Sequence, residues 1–179
     1  MAIKPTIYKF RIALTDLNRD IYDSLSLTVA KHPSENNLRM MARVLAYCLN
    51  SEYPLQFTKG LSTIEEPDIW AKELDDSISL WIDVGEPDPE RVVKSSKQAK
   101  QVKVYSFNSK SDNWWQKNKD KLARAKASII QLDADGIENV ANIVERRMDI
   151  SVMLSEQSIY VSTDTGSHQV DWKPLHSHE

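Results

Sequence analysis

The chain has 179 residues, 41% of them hydrophobic, which is enough for one core but not for two ordinary domains. Its 23 basic and 26 acidic residues give a net charge of −3, which excludes a general electrostatic attraction to nucleic acid or to an anionic membrane. Any contact with nucleic acid must therefore come from a local patch of the surface.

The single cysteine, Cys48, excludes an intrachain disulfide and a cysteine-cluster zinc site, and it suits a reducing compartment. No window of the sequence approaches the ~20 apolar residues that span a bilayer. We therefore expect a soluble, cytoplasmic protein with no membrane partner. We also expect a monomer or a weak oligomer, with no protein partner identified.

The chain begins with a predicted hairpin. Residues 6–14, "TIYKFRIAL", alternate apolar and polar side chains, which is the pattern of a half-buried strand. Residues 21–30, "IYDSLSLTVA", repeat the alternation after the turn residues "DLNRD". The two segments are predicted to pair as antiparallel strands.

The first helix is predicted within "HPSENNLRMMARVLAYCLN", with Ser34 as its N-cap. Apolar residues recur there at three- and four-residue steps, at Leu38, Met41, Leu45 and Leu49. Strands are predicted next at 54–58, 67–72 and 78–84. The last of these, "ISLWIDV", is almost continuously apolar, as expected for a central strand that is buried on both faces.

The remaining chain alternates helices and strands. Helices are predicted at 89–100, 111–124 and 133–147, strands at 102–107 and 127–132, and a hairpin at 149–164 around the turn "SEQS". The last segment, "GSHQVDWKPLHSHE", has the composition of a loose tail. The predicted organisation is a single domain over 1–165 and a tail over 166–179.

From the first helix onward, the predicted order is α-β-β-β-α-β, the core topology of the PD-(D/E)XK nuclease superfamily. The segments "HPSENNLRMMARVLAY", "FTKGLS", "EEPDIW", "WIDVGEPDPERVVK" and "WW" together resemble the YaeQ family along nearly the whole chain. This resemblance implies a variant of the PD-(D/E)XK nuclease core, an α/β (α+β) fold. A central mixed sheet would be flanked by helices, with an N-terminal hairpin and C-terminal strands added.

The resemblance also implies a metal site. In the superfamily pattern, Asp68 and Asp83 hold the positions of the two metal-binding acids, and the backbone carbonyl of Val84 supplies a third oxygen. Phosphodiester hydrolysis needs a divalent cation, and Mg²⁺ prefers carboxylate oxygens. We therefore expect Mg²⁺ or Mn²⁺ as cofactor. The alternative for Asp83 is a strand-end aspartate that caps the turn at Gly85.

The superfamily lysine has no counterpart in its usual position, which Gly85 occupies. Some members place this lysine on the following helix, where Lys94 is available to orient the attacking water. On a continuous helix, Lys94, Gln98 and Gln101 would form a polar stripe at i, i+4 and i+7. We expect Lys94 and Gln98 in the catalytic site, with a solvent-facing stripe as the alternative.

Glu35 and Arg39 complete the predicted site. Several superfamily branches carry a glutamate on the first core helix, so Glu35 is a candidate metal ligand and Arg39 a candidate for gripping phosphate. However, Glu35, Arg39 and Arg43 are spaced at i, i+4 and i+8, which also fits a ladder of ion pairs. A buried structural pair of Arg39 with Glu35 or Asp68 is the equivalent alternative.

Two functions follow from these predictions. The first is a metal-dependent nuclease that acts on or binds DNA or RNA. The second is a catalytically inactive nuclease-fold protein that binds nucleic acid or a transcription-related protein partner, because fold does not establish activity. A further nucleic-acid surface is conceivable at Trp114 and Trp115, where lysines follow on the same segment, although adjacent tryptophans on a helix more often bury one ring.

Overall fold

The computed structural model describes residues 4–59 and 65–178, so part of the "FTKGLS" motif lies outside the described residues. Its strands are β1 (Thr6–Asp16), β2 (Ile21–Lys31), β3 (Leu55–Phe57), β4 (Ile69–Lys72), β5 (Ile78–Val84), β6 (Ala99–Ser106), β7 (Ser128–Leu132), β8 (Arg147–Ser155), β9 (Ser158–Thr163) and β10 (Gly166–His176). Its helices are α1 (Asn37–Leu49), α2 (Pro89–Ser96), α3 (Ser111–Arg124) and α4 (Ala134–Asn142). Among the described residues, no helix has the length and apolar character to cross a membrane.

The ten strands form one mixed sheet in the order β2-β1-β8-β9-β10-β7-β6-β5-β4-β3, which nearly closes on itself. The pairs β1–β8, β5–β6 and β6–β7 are parallel, and the other neighbours are antiparallel. Helices α1 and α4 pack with one face of the sheet in the main hydrophobic cluster. Helices α2 and α3 cover the other face around Trp81, Val104 and Ile129. The predicted α/β fold with a mixed sheet and helical layers is confirmed.

The N-terminal hairpin is also confirmed. Strands β1 and β2 pair from Thr6 with Lys31 to Asp16 with Ile21, so the predicted turn lies at their junction. Phe10, Ile12 and Leu14 are buried, while the residues between them are exposed. The alternation in the sequence therefore corresponds to the two faces of one strand.

The start of α1 differs from the prediction. Its N-cap is Asn36, whose side-chain oxygen accepts a hydrogen bond from the Arg39 N–H at 2.9 Å. Ser34 lies two residues before this cap, and its hydroxyl is instead within hydrogen-bond distance of His32 Nδ1, at 2.7 Å. Glu35 consequently precedes the helix instead of lying in its first turn, and it reaches its partners from the loop.

Helices α2 and α4 are shorter than predicted. Helix α2 ends at Ser96, because Ala99 begins strand β6 by pairing with Ile78. Gln98 and Gln101 therefore lie outside the helix, and the predicted polar stripe with Lys94 does not exist. Helix α4 likewise ends at Asn142, before strand β8 begins at Arg147. In both cases the energy of strand pairing overrides local helix propensity.

The predicted loose tail is wrong, because residues 166–176 form strand β10. It pairs antiparallel with both β9 and β7, so it joins the two halves of the sheet. Val170 is fully buried. Helix α4 packs so closely on this strand that a Cβ at Gly136 would lie 2.9 Å from the Gln169 carbonyl oxygen. Glycine is the residue that permits this approach.

Candidate functional site

A cavity of about 500 Å³ opens where the start of α1 meets the end of β5 and the start of α2. We call it the carboxylate cavity. Its charged lining residues are Glu35, Glu66, Asp68, Asp83 and Glu86 together with Arg39 and Arg91. Four residues of the predicted site, namely Glu35, Arg39, Asp68 and Asp83, are therefore brought together.

Arg39 connects α1 to the strands. Its Nη1 donates to Glu35 Oε2 at 2.7 Å, and its Nη2 donates to Asp68 Oδ1 at 2.7 Å and to the Val84 carbonyl at 3.3 Å. Burial alone would lower the pKa of Arg39, but Asp68 and Glu35 outweigh it and hold the pKa above its usual value. Arg39 thus forms the buried ion pairs that were the alternative to phosphate binding.

Glu35 also binds a second arginine. Arg43 donates from Nε and Nη2 to the two carboxylate oxygens at 2.9 and 2.6 Å. Both residues are buried, with 5% of Glu35 and 3% of Arg43 exposed. The ion-pair ladder considered from the i, i+4, i+8 spacing is therefore present, and a metal ligand role for Glu35 would compete with two guanidinium groups.

Asp68 stands just before β4 and is fixed by the backbone of β5. Its N–H donates to the Ile82 carbonyl at 3.0 Å, and its Oδ2 accepts the Val84 N–H at 2.8 Å. Only 4% of Asp68 is exposed. These bonds hold the carboxylate beside the end of β5, where Asp83 lies.

Asp83 is buried at the end of β5, as the sequence predicted, and 3% of it is exposed. Arg91 Nε and Nη2 contact its two carboxylate oxygens at 3.1 and 3.2 Å. Burial raises the pKa of Asp83, Arg91 opposes the rise, and the neighbouring Asp68 carboxylate adds to it. The carboxylates of Asp68 and Asp83 therefore repel each other in a buried, poorly solvated environment.

Sequence reasoning missed Arg91. It lies in the first turn of α2, after the N-cap Asp88 and Pro89, and its Nη2 also donates to the Glu66 carbonyl at 2.9 Å. A cation in the first turn is disfavoured by the helix dipole. That unfavourable placement was a signal in "DPER" that the arginine has a tertiary partner.

Lys94 and Gln98 are not among the residues that line the carboxylate cavity. They line a neighbouring cavity of about 270 Å³ with Trp81, Ser95 and Arg91. Helix α2 turns Arg91 toward Asp83, and Gln98 follows the helix after its C-cap residue. The expectation that the Lys94 head group joins the three carboxylates is therefore not met, because Arg91 occupies that place on α2.

The backbone explains why glycine stands at position 85, where the superfamily resemblance would place a lysine. Gly85 has φ of +119°, a conformation that L side chains rarely adopt, and its N–H donates to the Tyr105 carbonyl at 2.8 Å. A Cβ at this position would meet nothing within 4 Å. The obstacle to a lysine here is the backbone conformation and not a lack of space.

The charges of the carboxylate cavity do not balance among the described residues. Its five carboxylates share the lining with Arg39 and Arg91, and Arg43 binds Glu35 from outside the lining. Glu66 and Glu86 have no arginine partner among the described residues. Glu86 accepts from the Asn108 N–H and the Ser111 hydroxyl. Glu66 Oε2 is buried without a hydrogen-bond partner. The cavity therefore has an excess of negative charge.

The carboxylates of this cavity do not form a closed metal cage. Within residues 4–59 and 65–178, no three His, Cys, Asp or Glu side chains form a group that could hold a metal ion. A Mg²⁺ ion that keeps several waters needs only one or two carboxylates, however, and the cavity supplies Asp68 and Asp83. The donor set fits a hydrated divalent cation better than a tightly caged one.

Trp114 and Cys48 contribute to packing. The Trp114 indole donates to the Pro87 carbonyl at 3.0 Å, and both adjacent tryptophans are half-buried against the cluster under α2 and α3. Burial raises the pKa of the fully buried Cys48 to about 12. This thiol is therefore not a nucleophile.

Comparison with known proteins agrees with the fold. A family model described as YaeQ protein matches residues 1–172. The chain is 36% identical over 173 residues to the uncharacterized protein YaeQ of Escherichia coli (strain K12), covering 96% of both, and 37% identical over 164 residues to that of Salmonella typhi, covering 90% of this chain and 91% of the other.

Solved structures agree as well. The crystal structure of the YaeQ protein from Xanthomonas axonopodis pv. citri has a TM-score of 0.92 and 30% identity, covering 97% of this chain and 99% of the other. The YaeQ protein from Pseudomonas syringae gives a TM-score of 0.91 and 36% identity, with 97% of each chain covered. With the family model and the relatives extending over almost the whole chain, this protein belongs to the YaeQ family.

Proposed function

We propose that the carboxylate cavity binds a divalent cation and hydrolyses phosphodiester bonds of DNA or RNA, as a variant of the PD-(D/E)XK nuclease fold would. The observation that carries this proposal is the meeting of two buried aspartates, Asp68 and Asp83, beside the unpartnered Glu66 carboxylate oxygen. Asp68 and Asp83 each have an arginine partner, whereas the buried Glu66 Oε2 has no hydrogen-bond donor among the described residues. A buried carboxylate oxygen without a donor is costly unless a cation balances it.

Asp68 and Asp83 would hold Mg²⁺ or Mn²⁺, with Glu66 as a further oxygen donor. Of the four arginine–carboxylate pairs described above, Arg91–Asp83 is the longest and the most solvated, at 3.1 Å with 33% of the arginine side chain exposed. The Arg39 pairs are 2.7 Å long, with 17% of that side chain exposed. Asp83 is therefore the carboxylate that a cation would most readily take over from its arginine.

The arginines have a role in substrate binding under this proposal. The guanidinium groups of Arg39 and Arg91 face the same cavity, and their fork geometry matches phosphate oxygens. The bound cation would offset charge on the phosphoryl group and favour deprotonation of a water. Arg91 takes the position on α2 that the sequence had suggested for Lys94.

A titration with Mn²⁺ tests the metal site. We expect saturable binding to the wild type, at least a tenfold loss in Asp83→Asn because the amide has no negative charge, and a smaller loss in Glu66→Gln. Asp120→Asn is the matched control, since Asp120 is exposed on α3 away from the cavity. Equal Mn²⁺ affinity of Asp83→Asn and wild type would remove Asp83 as a ligand.

Cleavage assays test the reaction. Wild-type protein with Mg²⁺ or Mn²⁺ should cut single-stranded or duplex DNA or RNA, and Asp83→Asn purified in parallel should not. The mutant controls for a contaminating nuclease. If the wild type binds Mn²⁺ but cuts none of these substrates, catalysis is rejected and the metal site stands alone.

A second function is favoured by one observation. No lysine is among the described residues that line the carboxylate cavity, and each of its buried aspartates already has an arginine partner. Such a site would suit a catalytically inactive protein that binds nucleic acid or a transcription-related protein. Retarded migration of nucleic acid without metal, unchanged by Asp83→Asn, would support this alternative.

A further inference from the structure

A second cavity of about 490 Å³ lies elsewhere in the fold, among β6, β7, β10 and the turn after β1. We call it the Lys103 cavity. None of the residues that line it lines the carboxylate cavity, so the two are separate places on the protein. Binding of a ligand in the Lys103 cavity is therefore independent of the proposed nuclease function.

Lys103 carries a charge with an unusual partner. Its Nζ donates to Asn50 Oδ1 at 2.7 Å, and no carboxylate of the described residues forms an ion pair with it. The carboxylates of Asp16 and Glu52 are bound to Arg19, at 3.2 and 2.6 Å. Burial lowers the pKa of Lys103, the positive charge of Arg19 lowers it further, and the negative charge of Glu52 opposes this decrease in part. An ammonium with two remaining donors is thus held by a neutral amide.

Two more hydrogen-bond donors belong to the same cavity. The Trp172 indole Nε1 is buried and has no partner among the described residues. The Tyr105 oxygen accepts from Asn50 Nδ2 at 2.8 Å, which leaves its own O–H to donate. Because a buried donor without an acceptor costs free energy, these groups favour a ligand that carries acceptors.

The rest of the lining limits the ligand further. Leu49, Ile130, Leu154 and Pro174 provide apolar walls. Lys103 supplies a positive charge that forms no ion pair within the described residues, whereas Arg19, which also lines the cavity, is paired with Asp16 and Glu52. The exposed Glu156 in the lining disfavours a doubly charged anion. The volume lies within the range of small-molecule sites.

We propose that the Lys103 cavity binds a small organic monoanion, a carboxylate with an apolar body. The carboxylate binds the Lys103 ammonium. The apolar body packs on the aliphatic walls, and the second carboxylate oxygen receives the Trp172 indole N–H. This site requires no metal and no group from the carboxylate cavity.

The test uses phenylacetate and hexanoate as probes, with phenylacetamide as the uncharged counterpart of phenylacetate. Binding is followed through the five tryptophan indole N–H signals of the ¹⁵N-labelled full chain. The Trp172 signal, identified because Trp172→Phe removes it, should shift in a saturable way with the carboxylates. Phenylacetamide should bind at least tenfold more weakly than phenylacetate.

Matched variants separate charge from fold. Lys103→Met keeps much of the side-chain volume. We expect it to lower the affinity for phenylacetate at least tenfold and to abolish the preference for phenylacetate over phenylacetamide. Lys173→Met removes an exposed lysine of the same sheet, and Trp70→Phe removes a tryptophan from β4; neither should change binding. Unchanged signals of the remaining indoles show that each variant is folded.

Several results would each overturn the proposal. They are the absence of saturable binding by both carboxylates at millimolar concentration, equal affinity of wild type for phenylacetate and phenylacetamide, or unchanged phenylacetate affinity in folded Lys103→Met. Loss of binding in Lys173→Met alone would place the anion outside the cavity and overturn it equally.

Discussion

The carboxylate cavity and the Lys103 cavity neutralise buried charge in opposite ways. In the first, Glu35, Asp68 and Asp83 each have an arginine partner, and the arginines were recruited from α1 and α2. In the second, a lysine ammonium is held by the neutral amide of Asn50. Loss of either partner of a buried ion pair strongly destabilises the protein. A buried charge whose partner is a neutral amide already costs free energy in the native protein.

Because their buried charges are neutralised differently, the two cavities should respond differently to a ligand. A cation entering the carboxylate cavity must compete with Arg91 for Asp83, so affinity for the cation should be modest and dependent on pH. An anion entering the Lys103 cavity displaces no ion pair and relieves the ammonium. On binding, Asp83 would therefore exchange Arg91 for the cation, whereas the Lys103 ammonium would gain an anionic partner.

The largest effect is expected from breaking the most buried pair. Arg43→Met leaves Glu35 with Arg39 alone, and we expect the free energy of unfolding to fall by about 3–5 kcal/mol, measured by urea denaturation. Arg11→Met, which removes a pair with Asp149 whose side chains are 78% and 68% exposed, should change little. If both variants lose the same amount, the buried ladder is not what stabilises this region.

Adding Glu35→Gln to Arg43→Met provides a further check on that pair. The double variant should recover part of the stability, because it no longer leaves a buried carboxylate with insufficient positive charge. A double variant that is less stable by the sum of the two single losses would show that the side chains act independently.

Substitutions of Arg91 and Lys94 should have different effects on nucleic-acid affinity. Arg91→Met should weaken binding of a DNA or RNA oligonucleotide about tenfold, since it removes a guanidinium that faces the carboxylate cavity. Lys94→Met, one turn further along α2 and lining the neighbouring cavity, should have a smaller effect. Fluorescence anisotropy at fixed salt measures both, and the reverse order would restore Lys94 as the functional residue.

Acidification should release the cation from the carboxylate cavity at a higher pH than an ordinary aspartate ligand would. The pKa of Asp83 is raised above its ordinary value of 3.8, so its carboxylate takes up a proton at a higher pH than an ordinary aspartate. Mn²⁺ affinity should therefore fall as the pH is lowered through this raised pKa, and calorimetry with circular dichroism as a folding control follows it. Affinity that holds constant until pH approaches 3.8 would contradict the assignment of Asp83.

The smallest effect is expected from removing the strained charge. Lys103→Met should change the free energy of unfolding by less than about 1 kcal/mol, and a gain is consistent with relief of the buried ammonium. Thermal denaturation beside Arg43→Met makes the comparison direct. A loss as large as that of Arg43→Met would mean that Lys103 has a structural partner of comparable strength.

Several elements were predictable because their signals are local. The alternation of β1 and β2, the apolar run of β5 and the helix α3 over Ser111–Arg124 agree with the structure, since periodicity reports which face of an element is buried. The grouping of Asp68 with Asp83 followed from their places at the edges of two strands that are sequential in the chain. Sequential antiparallel strands usually pair, so their ends meet.

Other features depended on partners that are distant in the chain. Strand β10 was mistaken for a tail because its polar composition and Pro174 hide the alternation of His168, Val170 and Trp172. Its burial comes from β7 and β9, and no local signal encodes both neighbours. The early end of α2 has the same cause, since pairing of Ala99 with β5 decides it.

The amino-acid sequence alone therefore determined the family, the types of most elements before β10 and the acids that gather at the end of β5, because each of these follows from local pattern or motif order. Tertiary structure decided which basic side chain reaches those acids. Arg91 and Lys94 are both on α2, and only the packing of that helix on the sheet turns Arg91 to Asp83. Tertiary structure likewise created the Lys103 cavity, because Asn50, Lys103 and Trp172 come from three distant segments whose contact depends on the curvature of the sheet.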